Sequence, residues 1–198
     1  MSASNEIRRV AIVGTGVIGA SWAALYLAKG LDVVATDPAP EAKTKLDAFI
    51  DGAWPALERL GLSNGASRDR LSFAPDLAAA LDGADFVQEN GPERIEFKQR
   101  LYGDMDRLLR PDAIIASSSS GLPMSEIQKG ATAHPERCVI GHPFNPPHRP
   151  RTRSNGPTPS TPRSARRPSG SARSCTATSP TGSRPRSPAK STTWSPKA

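Results

Sequence analysis

The chain has 198 residues, a length that is enough for one domain. Its formal net charge is +7, but this charge is unevenly distributed. Residues 1–148 carry 15 Lys and Arg against 19 Asp and Glu, whereas residues 149–198 carry 11 basic residues and no acid. The two cysteines provide neither a disulfide framework nor metal-ligand spacing, so no metal site is predicted. The sequence has no signal-peptide core and no apolar run of about 18 residues, which favours a cytoplasmic protein that contacts no membrane.

A short strand, a glycine motif and a helix open the chain. Residues 10–13 form an apolar run that is typical of a buried parallel strand. The sequence GTGVIG follows at once over residues 14–19, and residues 20–29 are rich in Ala and Leu, which indicates a helix that Gly30 ends. The order of strand, glycine turn and helix predicts a dinucleotide site.

Each position of the glycine motif has a physical task. Gly14 permits the tight turn off the strand, Gly16 lets the backbone approach a pyrophosphate, and Gly19 lets the helix pack closely on the sheet. Val17 and Ile18 lie in the motif directly before the predicted helix. We expect them to contribute to cofactor binding, because the helix N-terminus offers phosphates free N–H groups and a partial positive charge. On these residues alone, a structural glycine turn that binds nothing stays an alternative.

A carboxylate follows the second predicted strand. Residues 32–36 form another apolar run, and it ends in Asp37, which lies 18 residues after Gly19. A carboxylate at this place accepts hydrogen bonds from the ribose hydroxyls and repels a 2′-phosphate. Asp37 therefore predicts NAD as the cofactor in preference to NADP.

Strands and helices alternate through the rest of residues 1–148. We expect helices over 41–60, 76–81 and 93–109, strands over 84–89, 113–116 and 138–141, and a loop over 61–67. The first of these helices contains Pro55, which leaves open both a continuous helix and a break near Trp54 and Pro55. The helix over 93–109 should face the core with its apolar residues, namely Ile95, Phe97, Leu101, Met105, Leu108 and Leu109. The fold class is α/β, a Rossmann-like doubly wound parallel sheet with ligands at the carboxyl ends of its strands.

Several motifs, in this order, resemble the NAD-binding domain of the 3-hydroxyacyl-CoA dehydrogenase family over residues 8–148. They are the glycine motif at 14–19, Asp37, QENGPER at 88–94, SSSSGL at 117–122, and PERC at 135–138 leading to HPFNP at 142–146. Carnitine dehydrogenases share this scaffold, and AWPALER at 53–59 resembles that branch. The resemblance implies NAD as the cofactor and a homodimer as the assembly of the family.

The resemblance also assigns roles to single positions. Glu93 and Lys98 match residues near the nicotinamide half of NAD, and Ser120 matches the serine that hydrogen-bonds the substrate 3-hydroxyl. His142 matches the general base, and Asn145 matches the asparagine that orients the reacting groups. Without the family, a structural histidine, a flexible serine turn and a solvated helix face stay open as interpretations of these positions.

The implied chemistry is the oxidation of a secondary alcohol. An imidazole titrates near neutral pH and can accept the hydroxyl proton while hydride leaves carbon for the nicotinamide. The implied function is NAD-dependent oxidation of a 3-hydroxyacyl-CoA to the 3-ketone, with L-carnitine as the alternative substrate. A non-catalytic NAD-binding protein is an alternative of another class.

The chain departs from the family after the HPFNP motif. Family members continue with a strand whose glutamate pairs with the histidine, and then with a helical domain that completes the substrate site and the dimer. Here residues 147–154 read PHRPRTRS and contain no glutamate. We therefore expect this chain to bind NAD but to show weak or no dehydrogenase activity.

Residues 149–198 contain no Val, Ile, Leu, Met or Phe but 11 Ser and nine Pro, which predicts a disordered basic tail without the family's helical domain. A nucleic-acid-binding arm is disfavoured, because Trp194 is the one aromatic residue available for stacking.

The remaining explanations of residues 149–198 are a genuine basic arm, a degenerate end of the sequence and a reading-frame shift. We favour the shift, because reading one base earlier over residues 169–195 permits a Gly-Lys-x-Pro segment and a helix opened by Asn-Arg, as in the family.

Overall fold

The computed structural model describes residues 6–143 of the chain. The chain divides into two units, Met1–Pro150 and Arg151–Ala198, and all described residues belong to the first. The predictions for Asn145 and for a disordered tail over 149–198 lie outside the described residues.

Six parallel strands form one sheet in this part of the chain, in the order β3-β2-β1-β4-β5-β6. Their bounds are Arg9–Val13 (β1), Asp32–Thr36 (β2), Leu71–Phe73 (β3), Phe86–Glu89 (β4), Ile114–Ser117 (β5) and Cys138–Ile140 (β6). The chain starts at the centre of the sheet, builds outward to β3, and then crosses back to add β4 on the other side of β1. This order confirms the predicted doubly wound sheet.

Helices connect the strands and cover both faces of the sheet. Their bounds are Val17–Ala28 (α1), Ala42–Leu60 (α2), Leu77–Leu81 (α3), Ile95–Leu108 (α4) and Met124–Ile127 (α5). One face of β2 presents Val33 and Ala35 to the core shared with α1 and α2, whereas Val34 points to the opposite face and packs with Ala80 of α3. Burial on both faces explains why the strands are apolar throughout rather than alternating.

The structure resolves the alternative left open for the helix predicted over 41–60, which does not break near Pro55. Helix α2 runs without interruption from Ala42 to Leu60 and contains Pro55 in its interior. Proline lacks an N–H, so the carbonyl of Asp51, four residues earlier, loses its helical donor. Both residues are exposed, and water can therefore replace the missing hydrogen bond. The buried residues Trp54 and Leu57 hold this part of the helix against the core.

Two further details differ from the predictions. A third strand, Leu71–Phe73, lies at the outer edge of the sheet beside β2, in a region for which no strand is predicted. Leu108 is 49% exposed, whereas Tyr102 of the same helix is fully buried. The buried face of α4 is therefore centred closer to Tyr102 than the aliphatic residues of the helix indicate, and Leu108 lies outside it.

Candidate functional site

Five strands end side by side at one edge of the sheet. The last residues of β2, β1, β4, β5 and β6 are register partners, namely Thr36, Val13, Glu89, Ser117 and Ile140. Because all strands are parallel, the residues that follow these five share one edge. The glycine turn, Asp37, the residues after Glu89, the serine run and His142 all lie there, which is where such sheets bind ligands.

The glycine turn has the close contacts that its sequence predicts. Gly14 has a φ of +89°, and its N–H donates to the carbonyl oxygen of Thr36 at 3.0 Å. A Cβ on Gly19 would lie 1.9 Å from the carbonyl oxygen of Gly14, so a side chain there would displace the turn itself. A Cβ on Gly16 would meet nothing within 4 Å. Gly16 therefore borders open space, as a residue that admits a ligand to the backbone should.

The first turn of α1 is open to a ligand. Gly16 caps the helix without a side-chain hydrogen bond, the first turn holds no acidic residue, and Val17 is 60% exposed. Unpaired N–H groups at a helix N-terminus attract phosphate oxygens, and the helix dipole adds a partial positive charge. The partly buried Ile18 follows, and Gly19 seats the turn on the sheet. These residues fit the pyrophosphate of a dinucleotide.

Asp37 lies beside the glycine turn and is held to it. Its Oδ2 accepts hydrogen bonds from the N–H of Thr15 at 2.7 Å and from the Thr15 hydroxyl at 3.1 Å. Its Oδ1 accepts a hydrogen bond from the N–H of Ala39 at 2.8 Å. The carboxylate is half-buried at the end of β2, in the position from which a Rossmann acid reaches the ribose.

Glu93 holds the turn formed by the serine run. Its Oε1 accepts hydrogen bonds from the Ser119 hydroxyl at 2.6 Å, the Ser120 N–H at 3.1 Å and the Gly121 N–H at 2.7 Å. Partial burial acts to raise the pKa of Glu93, but the bonds from Ser119, Gly121 and Ser120 and the positive charge of Lys98 outweigh it and lower the pKa. Glu93 is therefore ionised at neutral pH, and it fixes the backbone that carries the exposed Ser120.

Lys98 does not lie on a solvated helix face. Its side chain is 1% exposed, and its Nζ lies 2.8 Å from both carboxylate oxygens of Glu89, which is fully buried. Glu89 also accepts hydrogen bonds from the Ser117 hydroxyl at 2.7 Å and the Gly91 N–H at 2.6 Å. Sequence reasoning placed Glu89 in a motif but gave it no role. An acid as the last residue of a predicted buried strand is the available signal.

A polar network connects the glycine turn to the serine run. The side-chain amide of Gln88 donates to the Ser118 hydroxyl at 2.9 Å, and that hydroxyl donates to Asn90 Oδ1 at 2.7 Å. Asn90 Nδ2 then donates to the carbonyl oxygen of Gly14 at 3.3 Å. The hydroxyl of Tyr26 in α1 donates to Gln88 Oε1 at 3.2 Å. The glycine turn and the serine run are therefore joined through the side chains of Gln88, in β4, and of Asn90, directly after it.

His142 follows β6 at the same edge. The N–H of Gly141 donates to the carbonyl oxygen of Ser117 at 2.8 Å, which sets the next residue close to the start of the serine run. His142 is exposed. Its predicted companion Asn145 lies beyond the described part of the chain.

Residues 6–143 offer no group of three His, Cys, Asp or Glu side chains arranged to hold a metal ion. In the same part of the chain, no helix is long and apolar enough to cross a membrane.

A parallel sheet of this order, with a glycine turn leading into a helix and an acid after the second strand, defines a Rossmann-type dinucleotide-binding domain. The chain belongs to the 3-hydroxyacyl-CoA dehydrogenase family, because the family model described as "3-hydroxyacyl-CoA dehydrogenase, NAD binding domain" matches residues 9–152. The match confirms both the predicted family and NAD as the cofactor of this domain.

Curated relatives with high identity are L-carnitine dehydrogenases. The chain is 52% identical over 146 residues to that of Streptomyces griseus, covering 74% of this chain and 43% of the relative. It is 52% identical over 141 residues to that of Pseudomonas putida, covering 71% of this chain and 44% of the relative. The chain therefore spans less than half the length of these relatives.

Solved structures show the same fold. An NAD+-dependent dismutase, 5-formyl-3-hydroxy-2-methylpyridine 4-carboxylic acid 5-dehydrogenase, matches with a TM-score of 0.65 and 40% identity, covering 72% of this chain and 46% of that one. The 3-hydroxybutyryl-CoA dehydrogenase of Escherichia coli K12 matches with a TM-score of 0.64 and 28% identity, covering 71% of this chain and 30% of that one.

Proposed function

We propose that this chain is the NAD-binding part of an oxidoreductase that converts a secondary 3-hydroxyl to the 3-ketone. The single observation that carries the proposal is the shared sheet edge. Gly16, Asp37 and His142 all lie at this edge, and we assign them to the pyrophosphate contact, the ribose acceptor and the base. The family match supports the same reaction class.

In the proposed reaction, this chain binds the cofactor and moves one proton. Bound NAD supplies the acceptor for the hydride that leaves the carbinol carbon. An imidazole nitrogen of His142 accepts the hydroxyl proton, so that the alcohol loses one hydride and one proton and becomes a ketone. Ser120 holds the substrate oxygen, and Glu93 keeps the Ser120 backbone in place through its hydrogen bonds to the turn.

The main substrate hypothesis is a 3-hydroxyacyl-CoA, in keeping with the family that the chain matches. The second is L-carnitine, which also carries a 3-hydroxyl. A specific observation favours it, namely 49–52% identity to curated L-carnitine dehydrogenases. One assay separates the two: NADH formation from each substrate at equal concentration, with absorbance as the readout.

We infer further that turnover by this chain is weak. Residues 143–198 contain no Asp or Glu, so none of them can stabilise the protonated form of His142. Calorimetric titration of the folded chain with NAD should show binding, while NADH formation stays far below that of a full-length relative. Absence of NAD binding would overturn the proposal, and turnover equal to that of the relative would overturn the inference of weak activity.

A further inference from the structure

Thr15 supplies two of the three hydrogen bonds that hold Asp37. Its backbone N–H and its hydroxyl both donate to Oδ2, and the N–H of Ala39 donates to Oδ1. Thr15 lies between two glycines of the turn, and 9% of its surface is exposed. Its side chain therefore points into the protein toward the carboxylate rather than into solvent.

These bonds fix the orientation of the carboxylate. An ionised carboxylate offers about four lone-pair directions, two on each oxygen. Two donors from Thr15 fill those of Oδ2, and Ala39 takes one of Oδ1. One direction on Oδ1 is left for an outside donor, and the group cannot rotate without breaking bonds on both of its oxygens.

We propose that Thr15 is a positioning residue that sets the discrimination between NAD and NADP through Asp37. The proposal rests on the function proposed above, in which Asp37 accepts a hydrogen bond from the ribose. A 2′-phosphate brings negative charge to the same place and is repelled most when the carboxylate cannot turn away. The hydroxyl of Thr15 is one of the three donors that keep Asp37 from turning. It therefore adds to the penalty on NADP while it helps to align the free acceptor for NAD.

The size of the effect follows from which bonds a substitution removes. Any residue at position 15 other than proline keeps the backbone N–H and its bond of 2.7 Å. Loss of the hydroxyl removes one of the two bonds to Oδ2. This bond exists with and without NAD, so its loss weakens NAD binding only through the orientation of Asp37, and we expect the NAD affinity to fall by about three- to tenfold. The affinity for NADP should stay the same or rise, so the ratio of the two affinities should fall by at least the same factor.

The test compares T15V and T15S with the unaltered chain. T15V keeps the branched shape and lacks the hydroxyl, whereas T15S keeps the hydroxyl and lacks the methyl group. Dissociation constants for NAD and NADP are measured by calorimetry, and circular dichroism checks that each variant is folded. If T15V does not fold, T15A removes the same hydroxyl without the extra methyl and carries the same expectation.

We expect T15S to keep the affinity ratio within about twofold of the unaltered chain and T15V to lower it by about three- to tenfold. An unchanged ratio in folded T15V overturns the proposal, even if both affinities fall, since an equal fall reports general damage to the turn. Failure of the unaltered chain to bind NAD contradicts the proposed function instead, so the two failures are distinguishable.

Discussion

Lys98 and Glu89 form a buried ion pair, with the ammonium nitrogen 2.8 Å from both carboxylate oxygens. The pair joins α4 to the end of β4, and the Ser117 hydroxyl ties the same carboxylate to β5. Removing two charges from water is costly, and the cost is offset here by hydrogen bonds that occupy both oxygens of Glu89. The Ser117 hydroxyl also accepts a hydrogen bond from the N–H of Ser119 at 3.2 Å, so the pair is linked to the turn that carries Ser120.

Removal of one partner of this pair should destabilise the domain strongly. K98M leaves the Glu89 charge buried without a counter-ion, and we expect the free energy of unfolding to fall by about 3–5 kcal/mol. The double variant E89Q/K98M buries no charge and should be more stable than K98M alone. Urea denaturation measures both differences. A K98M variant within about 1 kcal/mol of the unaltered chain would contradict this account of the pair.

Substitutions at two glycines of the turn should have different effects. G16A adds a methyl group to open space, so the fold should survive while NAD binding weakens, because the methyl group occupies the approach to the pyrophosphate. G19A drives its Cβ against the Gly14 carbonyl, so both stability and NAD binding should fall. Thermal unfolding measures the stability of both variants, and titration with NAD measures their affinity for the cofactor. Normal NAD affinity in G16A would show that the cofactor does not approach this backbone.

Gly52 offers a matched control outside the site. It lies inside α2, it is exposed, and a Cβ there would meet nothing within 4 Å. Alanine in a helix interior is favoured over glycine by about 0.5–1 kcal/mol, so G52A should raise the free energy of unfolding by about that amount. NAD affinity should not change. A loss of stability in G52A would contradict the open space found around this position.

Glu93 should make stability depend on pH in the acidic range. Its pKa in the folded chain lies below the ordinary value of 4.5. A carboxylate of this kind contributes stability that is fully present above its unfolded pKa and is lost as the pH falls through the folded pKa. E93Q cannot titrate, so the stability difference between the unaltered chain and E93Q should be largest near neutral pH and shrink below about pH 4.5. A difference that stays constant from pH 7 to pH 3 would rule out this contribution.

Local signals predict the strand, turn and helix around the glycine motif, which the structure confirms. Gly14, Gly16 and Gly19 stand at fixed spacing after an apolar strand, and Asp37 stands at the end of the next one, so their roles depend on neighbours close in the chain. The burial of Lys98 depends on Glu89, nine residues earlier in another element, and a helical pattern cannot show that pairing. Strand β3 has only three residues at the edge of the sheet, too few for a periodicity to indicate it.

The most direct test of the account is a calorimetric titration of the folded chain with NAD, with G16A titrated beside it. If the sheet edge binds the cofactor, we expect saturable binding of one NAD per chain, weaker binding of NADP, and a clear loss of NAD affinity in G16A. Equal binding of NAD by both proteins, or no binding by the folded unaltered chain, would contradict the assignment of this sheet edge as the cofactor site.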